Sequence, residues 1–100
     1  MRVDVLKIDV EGYECEVLKG AGKILEKNPD IILEIHADNL YECTVDNLFE
    51  YLSVLKDKEF YIQWEDWLEP ELYNFEKPIT GRSHLFTLPK KRKKESLKSL

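Results

Sequence analysis

The sequence predicts an α/β fold with elements in the order β-α-β-α-β-β. Two short segments, residues 3–10 and 31–35, are dense in Val, Ile and Leu. Such short and nearly continuous apolar runs are typical of parallel strands covered on both faces. A single helical pattern lies between the two runs. This arrangement is a βαβ unit, so we expect parallel strands joined by a right-handed crossover.

The first strand runs from Val3 to Val10 and carries its polar residues on one face. Side chains alternate between the two faces of a strand. Lys7, Asp9 and Glu11 therefore share a face with Val3 and Val5. The polar groups collect at the C-terminal end of this face, which makes it the first place to look for chemistry.

Gly12 supplies the turn after this strand, and a helix follows. Gly20 and Gly22 each weaken a helix by about 1 kcal/mol relative to Ala. We therefore expect two short helices, near residues 13–19 and 21–27, with Asn28-Pro29-Asp30 ending the second. The helical pattern consists of apolar residues that recur at helical spacing: Val17, Leu18, Ala21, Ile24 and Leu25.

The second half of the chain adds one helix and two strands. Thr44 suits the N-cap position of a helix. The helix has an apolar stripe that we assign to the core: Val45, Leu48, Phe49, Leu52 and Leu55. Residues 60–64 and 83–88 read as strands, and no helical pattern separates them. An antiparallel pair is expected. The acidic, aromatic connection at 65–81 is long enough to be a functional loop.

Charge is distributed unevenly along the chain. The 100 residues carry a net charge of −5. Residues 90–100 contribute +5, from six basic residues against one Glu, which leaves −10 on residues 1–89. We assign residues 1–89 to one domain and 90–100 to a disordered basic tail. The acidic body argues against nucleic-acid binding by the domain. The tail is a solvated extension or a contact for an anionic membrane or nucleic acid.

Cys15 and Cys43 match no metal or CxxC spacing. Two cysteines without a signal peptide are typical of a reducing compartment, so we expect a cytoplasmic protein with free thiols. Cys15 is interpreted as a half-buried structural thiol rather than a nucleophile. No apolar run approaches the roughly 20 residues that span a bilayer, and a transmembrane segment is not expected.

The candidate chemistry lies after the two parallel strands. Sites in open α/β sheets form outside the C-terminal ends of such strands. The first strand places Asp9 and Glu11 there, and the second places Glu34 and His36. Neighbouring strands lie about 4.8 Å apart, so these four groups face one cleft. They are suited to act as a general base, to hold a substrate hydroxyl or to bind a divalent metal.

Structural roles compete with each of these assignments. Asp9 and Glu11 also suit the N-terminus of the following helix, and Glu34 and His36 suit hydrogen bonding at the rim of the sheet. A metal is the least favoured interpretation, because this pattern is far less specific than HExxH, and no metal is expected. The sequence contains no GxGxxG, P-loop or GxSxG motif.

The block Asp4 to Glu14, continuing through Val17-Leu18-Lys19-Gly20-Ala21, resembles the FkbM-type S-adenosylmethionine-dependent methyltransferases. The shared pattern is LKIDVEGxE, then VLKGA, then a strand ending in Glu34-Ile35-His36. The closing segment, residues 84–89, also resembles the end of that domain. The resemblance covers residues 2–89.

The resemblance implies a doubly wound, Rossmann-like sheet of which this chain matches the C-terminal half. The family's glycine-rich loop, which holds S-adenosylmethionine, belongs to the other half. The isolated chain is therefore expected to be inactive. We also expect its open edge strand to be covered by a second copy in a homodimer or by the N-terminal half of the domain.

By the same resemblance, Asp9 lies at the methyl-transfer cleft and contacts cofactor or acceptor. Glu11, Glu34 and His36 surround the acceptor, which in this family is a hydroxyl of a sugar or natural product. O-methylation is the expected reaction. Two alternatives remain open from the residues: a non-catalytic interaction module or split-enzyme subunit, and a metal-dependent hydrolase using Asp9, Glu11 and His36.

Overall fold

A five-stranded mixed sheet with helices against it forms the fold, in a computed structural model that describes residues 4–90. The elements are β1 (Val5–Ile8), α1 (Glu14–Gly20), α2 (Gly22–Leu25), β2 (Asp30–His36), a 3-10 turn (Ala37–Asn39), α3 (Val45–Leu52), β3 (Lys58–Gln63), β4 (Glu71–Leu72) and β5 (Arg82–Pro89). The strand order is β1-β2-β5-β3-β4.

The pairing confirms the α/β class and the two predicted types of strand pair. β1 and β2 are parallel, and β5 is antiparallel to both β2 and β3. β4 pairs antiparallel with β3 and was not predicted, because two residues carry no periodic signal. The right-handed sense of the β1–β2 crossover stays a prediction.

The helix after β1 breaks where the two glycines predict it. α1 ends at Gly20 and α2 begins at Gly22. Between them, the backbone N–H of Ala21 donates to the carbonyl of Leu18 at 3.1 Å, a tighter turn than the α-helical i→i−4 bond. The break divides the segment into two short helices.

The prediction that the first strand is buried on both faces is wrong. In β1, Ile8 is buried but Val5 is 55 % exposed and Lys7 is exposed. The reason is its position at the edge of the sheet, where within residues 4–90 β2 is its one neighbour. Helices also cover one face of the sheet and leave the other open to solvent in this part of the chain.

The hydrophobic core lies between the helices and that covered face. β2 contributes Ile31, Leu33 and Ile35, each fully buried. The remaining core residues come from the helices, the other strands and the segment before β5: Ile8, Cys15, Leu18, Ala21, Leu25, Leu48, Leu52, Ile62, Tyr73, Ile79 and Leu85. The opposite face of the sheet, called the open face below, carries Lys7, Ile32, Glu34, Arg82 and His84.

Thr44 is the N-cap of α3, as predicted. Its hydroxyl accepts a hydrogen bond from the Asn47 backbone N–H at 3.3 Å. The Asn47 side chain in turn accepts from the Thr44 backbone N–H at 3.0 Å. This reciprocal capping box satisfies backbone donors that the first turn leaves unpaired.

The expectation of free thiols is wrong, because Cys15 and Cys43 form a disulfide. Their Cα atoms lie 6.5 Å apart although 28 positions separate them in sequence. The bond joins α1 to the segment that leads into α3. Spacing alone gave no sign of it, since the two residues lie far apart in the chain and meet only in the folded structure.

No helix within residues 4–90 is long and apolar enough to cross a membrane. The predicted basic tail lies outside the described residues from position 91 onward.

Candidate functional site

The turns that follow β1 and β2 are hydrogen-bonded to each other beside the candidate site. Gly12 has a positive φ of 107°, and a Cβ at this position would collide with the carbonyl oxygen of Asn39. The carbonyl of Gly12 accepts a hydrogen bond from the Tyr41 backbone N–H at 2.9 Å. Only glycine combines this conformation with so close an approach of two backbones.

Three of the four predicted site residues meet at this end of the sheet. One ligand atom from each of Asp9, Glu34 and His36 lies within 4.8 Å of the others. Glu34 is buried, His36 is half-buried and Asp9 is exposed. The arrangement follows from the parallel β1–β2 register, which places both strand ends at one edge.

Glu11 does not join this group of three. It lies in the turn after β1, is exposed and has a positive φ of 47°. Its assignment as an acceptor-site residue therefore rests on the family resemblance alone.

Glu14 orients His36 from within the core. This carboxylate is fully buried at the start of α1, and its Oε1 atom lies 2.5 Å from Nδ1 of His36. The same oxygen accepts from the His36 backbone N–H at 3.2 Å. An ionised Glu14 carboxylate can only accept and would take the proton of Nδ1 in this hydrogen bond. The ring then presents Nε2 to Glu34, whose Oε1 lies 3.5 Å away.

β5 adds a guanidinium group and a second imidazole around Glu34. Nη1 of Arg82 lies 3.3 Å from Oε1, and Nε2 of His84 lies 3.8 Å from Oε2. Both side chains stand on the open face, because Glu34 pairs with His84 and His36 with Arg82 in the antiparallel register. Arg82 also contacts Asp66 of the long loop at 2.7 Å. Glu34 therefore lies close to three side chains, those of His36, Arg82 and His84.

Sequence reasoning missed Glu14, Arg82 and His84. Glu14 belongs to the LKIDVEGxE pattern, which was a usable signal that it has a role. Arg82 and His84 had no such signal, since their place beside Glu34 depends on β5 entering the sheet between β2 and β3.

Most aromatic side chains in and beside residues 65–81 pack against other parts of the fold. Tyr73 is buried and stacks on Phe49 with ring centroids 6.0 Å apart. Trp64 donates from Nε1 to Glu71 at 2.6 Å. Burial raises the pKa of the Tyr73 phenol, and the charge of Asp46 adds to this effect. Trp67 is the exception, because it is 80 % exposed.

A cavity of about 410 Å³ lies against these aromatic residues, between α3 and the segment at 75–79. None of its lining residues belongs to the group formed by Asp9, Glu34 and His36. The charged site and this groove are therefore separate features. The groove is lined by Val45, Asp46, Phe49, Tyr73, Phe75, Glu76, Lys77, Pro78 and Ile79.

Comparison with known families supports the relationship that the sequence motifs indicate. The family model for the methyltransferase FkbM domain matches residues 1–76, which include β1, β2 and the site residues Asp9, Glu14, Glu34 and His36. No curated protein and no solved structure matches the chain significantly. A match over this much of the chain identifies the domain, and the protein belongs to the FkbM methyltransferase family.

Proposed function

We propose that this chain forms the acceptor side of an S-adenosylmethionine-dependent O-methyltransferase, acting on a hydroxyl of a sugar or natural product. The single observation that carries the proposal is the meeting of Asp9, Glu34 and His36 at the end of the parallel strands of an FkbM domain. Open α/β sheets bind their substrates at this edge.

Methyl transfer to a hydroxyl requires two things of the protein. The acceptor oxygen must be held in line with the methyl group, and its proton must be removed. Glu34 and His36 supply acceptors for that proton, and Asp9 supplies an exposed carboxylate at the mouth of the cleft. Glu14 acts as a positioning residue, since it holds the His36 ring from the buried side.

S-adenosylmethionine supplies the electrophilic methyl group in this family. The described residues do not fit a complete site for it. Gly12 is closed against Asn39, Gly20 and Gly22 border the break between α1 and α2, and Gly81 precedes β5. None of these forms an open, glycine-lined turn after a strand. Among the described residues, Asp9 is the one that we assign to contact with the cofactor.

This lack of a glycine-lined turn leads to a direct binding test. Calorimetry of the 100-residue chain with S-adenosylmethionine should show no binding in the micromolar range. Micromolar binding by this chain alone would contradict our account of the cofactor site.

The acceptor role is tested in a chimera. Residues 4–90 replace the equivalent segment of a complete FkbM methyltransferase, and transfer of a radiolabelled methyl group to hydroxyl acceptors is measured. His36→Ala should lower the rate by about 10²–10⁴-fold if proton removal runs through this group. Glu16→Gln, an exposed carboxylate on α1 outside the candidate site, is the matched control and should stay near the parent rate. A folded, cofactor-binding chimera that transfers no methyl group would refute the proposal.

A second candidate is an interaction module or split-enzyme subunit, favoured by the exposed edge of the sheet. Val5 is 55 % exposed on β1, and β1 has an unpaired outer edge within residues 4–90. Such edges readily pair with another strand. Light scattering across a concentration series tests this, because a homodimer would appear as a mass twice the 11.9 kDa of the monomer.

A cytoplasmic location was expected from the cysteine count and stays a prediction. The Cys15–Cys43 disulfide counts against it, because disulfides persist mainly in oxidising compartments. Thiol titration of the protein taken directly from its native compartment distinguishes the two.

A further inference from the structure

We propose that Asp9, Glu34 and His36 form a binding site for one divalent transition-metal ion. This inference rests on the geometry of the described residues and does not depend on the methyl-transfer proposal. The sequence favoured no metal, because the three residues follow no metal-binding spacing. Their spatial arrangement leads to the opposite conclusion.

The donor atoms are close enough to bind one ion after small side-chain rotations. They lie within 4.8 Å of one another. Ligand atoms about 2.1 Å from a shared ion stand about 3 Å apart in a regular coordination shell. Asp9 is exposed and can rotate to close this gap. Glu34 and His36 lie two residues apart on one face of β2, so the backbone already aligns them.

Glu14 gives His36 the environment of a metal ligand. A metal-bound histidine almost always donates its second ring N–H to a carboxylate or carbonyl. Here Nδ1 faces Oε1 of Glu14 at 2.5 Å, which directs Nε2 toward Glu34. This contact holds the ring in the direction that coordination through Nε2 requires.

The second oxygen of Glu14 adds an electrostatic argument for a positive charge near His36. Glu14 is fully buried, and its Oε2 has no hydrogen-bond partner among residues 4–90. A buried carboxylate with an unsatisfied oxygen is costly unless a positive charge lies nearby. A metal ion on Nε2 of His36 places that charge on the far side of the imidazole ring.

Two groups beside the site oppose the ion or compete with it. Arg82 lies 3.3 Å from Oε1 of Glu34, and His84 lies 3.8 Å from Oε2. Arg82 is 54 % exposed and has a second carboxylate partner in Asp66. It can therefore turn away when an ion binds, although its charge lowers the affinity.

Two carboxylates with one imidazole suit Mn²⁺, Fe²⁺ or Zn²⁺ better than Mg²⁺ or Ca²⁺, which prefer all-oxygen sites. Mn²⁺ is the best probe, because its free aqueous ion gives an electron paramagnetic resonance signal that binding removes. In a methyltransferase, Glu34 and His36 would then serve as ligands instead of proton acceptors, and an ion held here would bind the acceptor's hydroxyl oxygen and lower its pKa.

The experiment titrates Mn²⁺ into the full 100-residue chain and its variants, each checked for folding by circular dichroism. The wild-type chain should bind one Mn²⁺. Asp9→Asn should raise the Kd by at least about tenfold, and Glu11→Gln, a carboxylate two positions away, should change it by less than twofold. Arg82→Gln should lower the Kd, since it removes an opposing charge.

Two outcomes would overturn the proposal. One is no binding of Mn²⁺ or Zn²⁺ at millimolar concentrations by the folded wild-type chain. The other is binding that Asp9→Asn weakens no more than Glu11→Gln does, which would indicate scattered surface carboxylates. Because Asp9 is exposed, its substitution leaves the fold intact and keeps this comparison valid.

Discussion

The two faces of β2 meet opposite surroundings within a single strand of seven residues. Ile31, Leu33 and Ile35 are fully buried under the helices. Their neighbours Ile32, Glu34 and His36 lie on the open face and keep partial exposure or polar partners. The difference shows that the covered face carries most of the stability, whereas the open face carries the charged groups available for chemistry.

Substitution at two adjacent positions of β2 gives the most direct test of this difference. Leu33→Ala should lower the free energy of unfolding by about 2–5 kcal/mol, because it removes buried methyl groups and leaves a cavity. Ile32→Ala should cost less than half as much, since Ile32 is half-buried. Urea unfolding followed by circular dichroism measures both. Equal losses would mean that the open face is covered in solution.

The Cys15–Cys43 disulfide should be the second contributor on the covered side. Cys43→Ser should lower the free energy of unfolding by about 3 kcal/mol, since it frees a loop of 28 positions in the unfolded chain. Reduction of the wild-type protein should give the same loss and should leave the variant unaffected. A reductant that destabilises both proteins equally would show that the bond is absent from the folded protein.

Tyr73 extends the comparison to alkaline pH. Its hydroxyl donates to the carbonyl of Lys77 at 2.7 Å, so Tyr73→Phe should cost about 1 kcal/mol near neutral pH. Burial raises the pKa of Tyr73 above its usual value of 10.0. A raised folded-state pKa gives stability that is full below pH 10 and is lost as the pH rises through the folded value.

The stability difference between wild type and Tyr73→Phe should therefore shrink above pH 10 in urea unfolding. Tyr41→Phe, which alters an exposed phenol, is the control. A difference that stays constant with pH would show that Tyr73 is not buried against Asp46 as described.

The open face should respond least in stability. Arg82 and Asp66 are 54 % and 60 % exposed, and such ion pairs contribute little. Arg82→Gln should change the free energy of unfolding by less than about 1 kcal/mol, measured by the same urea method. A much larger loss of unfolding free energy would mean that Arg82 stabilises the fold through Glu34. It would contradict the view that the covered face carries most of the stability.

Much of the fold was predictable because its signals are local. The βαβ unit, the break at Gly20–Gly22 and the Thr44 cap each depend on residues that lie within a few positions of one another. Alternation along β1 also placed Lys7 and Asp9 on one face, and both are exposed in the structure. The exposure of β1 itself was missed, because burial depends on what lies beside a strand rather than on its own composition.

The candidate site was predictable only in part. Asp9, Glu34 and His36 follow from the rule that parallel strands end at one edge. Glu11 shares the same motif yet lies apart, because the turn sends its backbone to a positive φ. The sequence pattern around a turn does not specify the direction in which a side chain in that turn points.

The sequence by itself determined every longer helix and strand, their order and the family, through periodicity, turn residues and the motif from Asp4 to Glu14. The tertiary structure decided which distant groups meet. It paired Glu14 with His36 across 22 positions and Cys15 with Cys43 across 28, and it placed β5 beside β2. The physical reason is that periodicity fixes the face on which a side chain lies. The partner it meets there depends on how helices and strands from distant parts of the chain pack together.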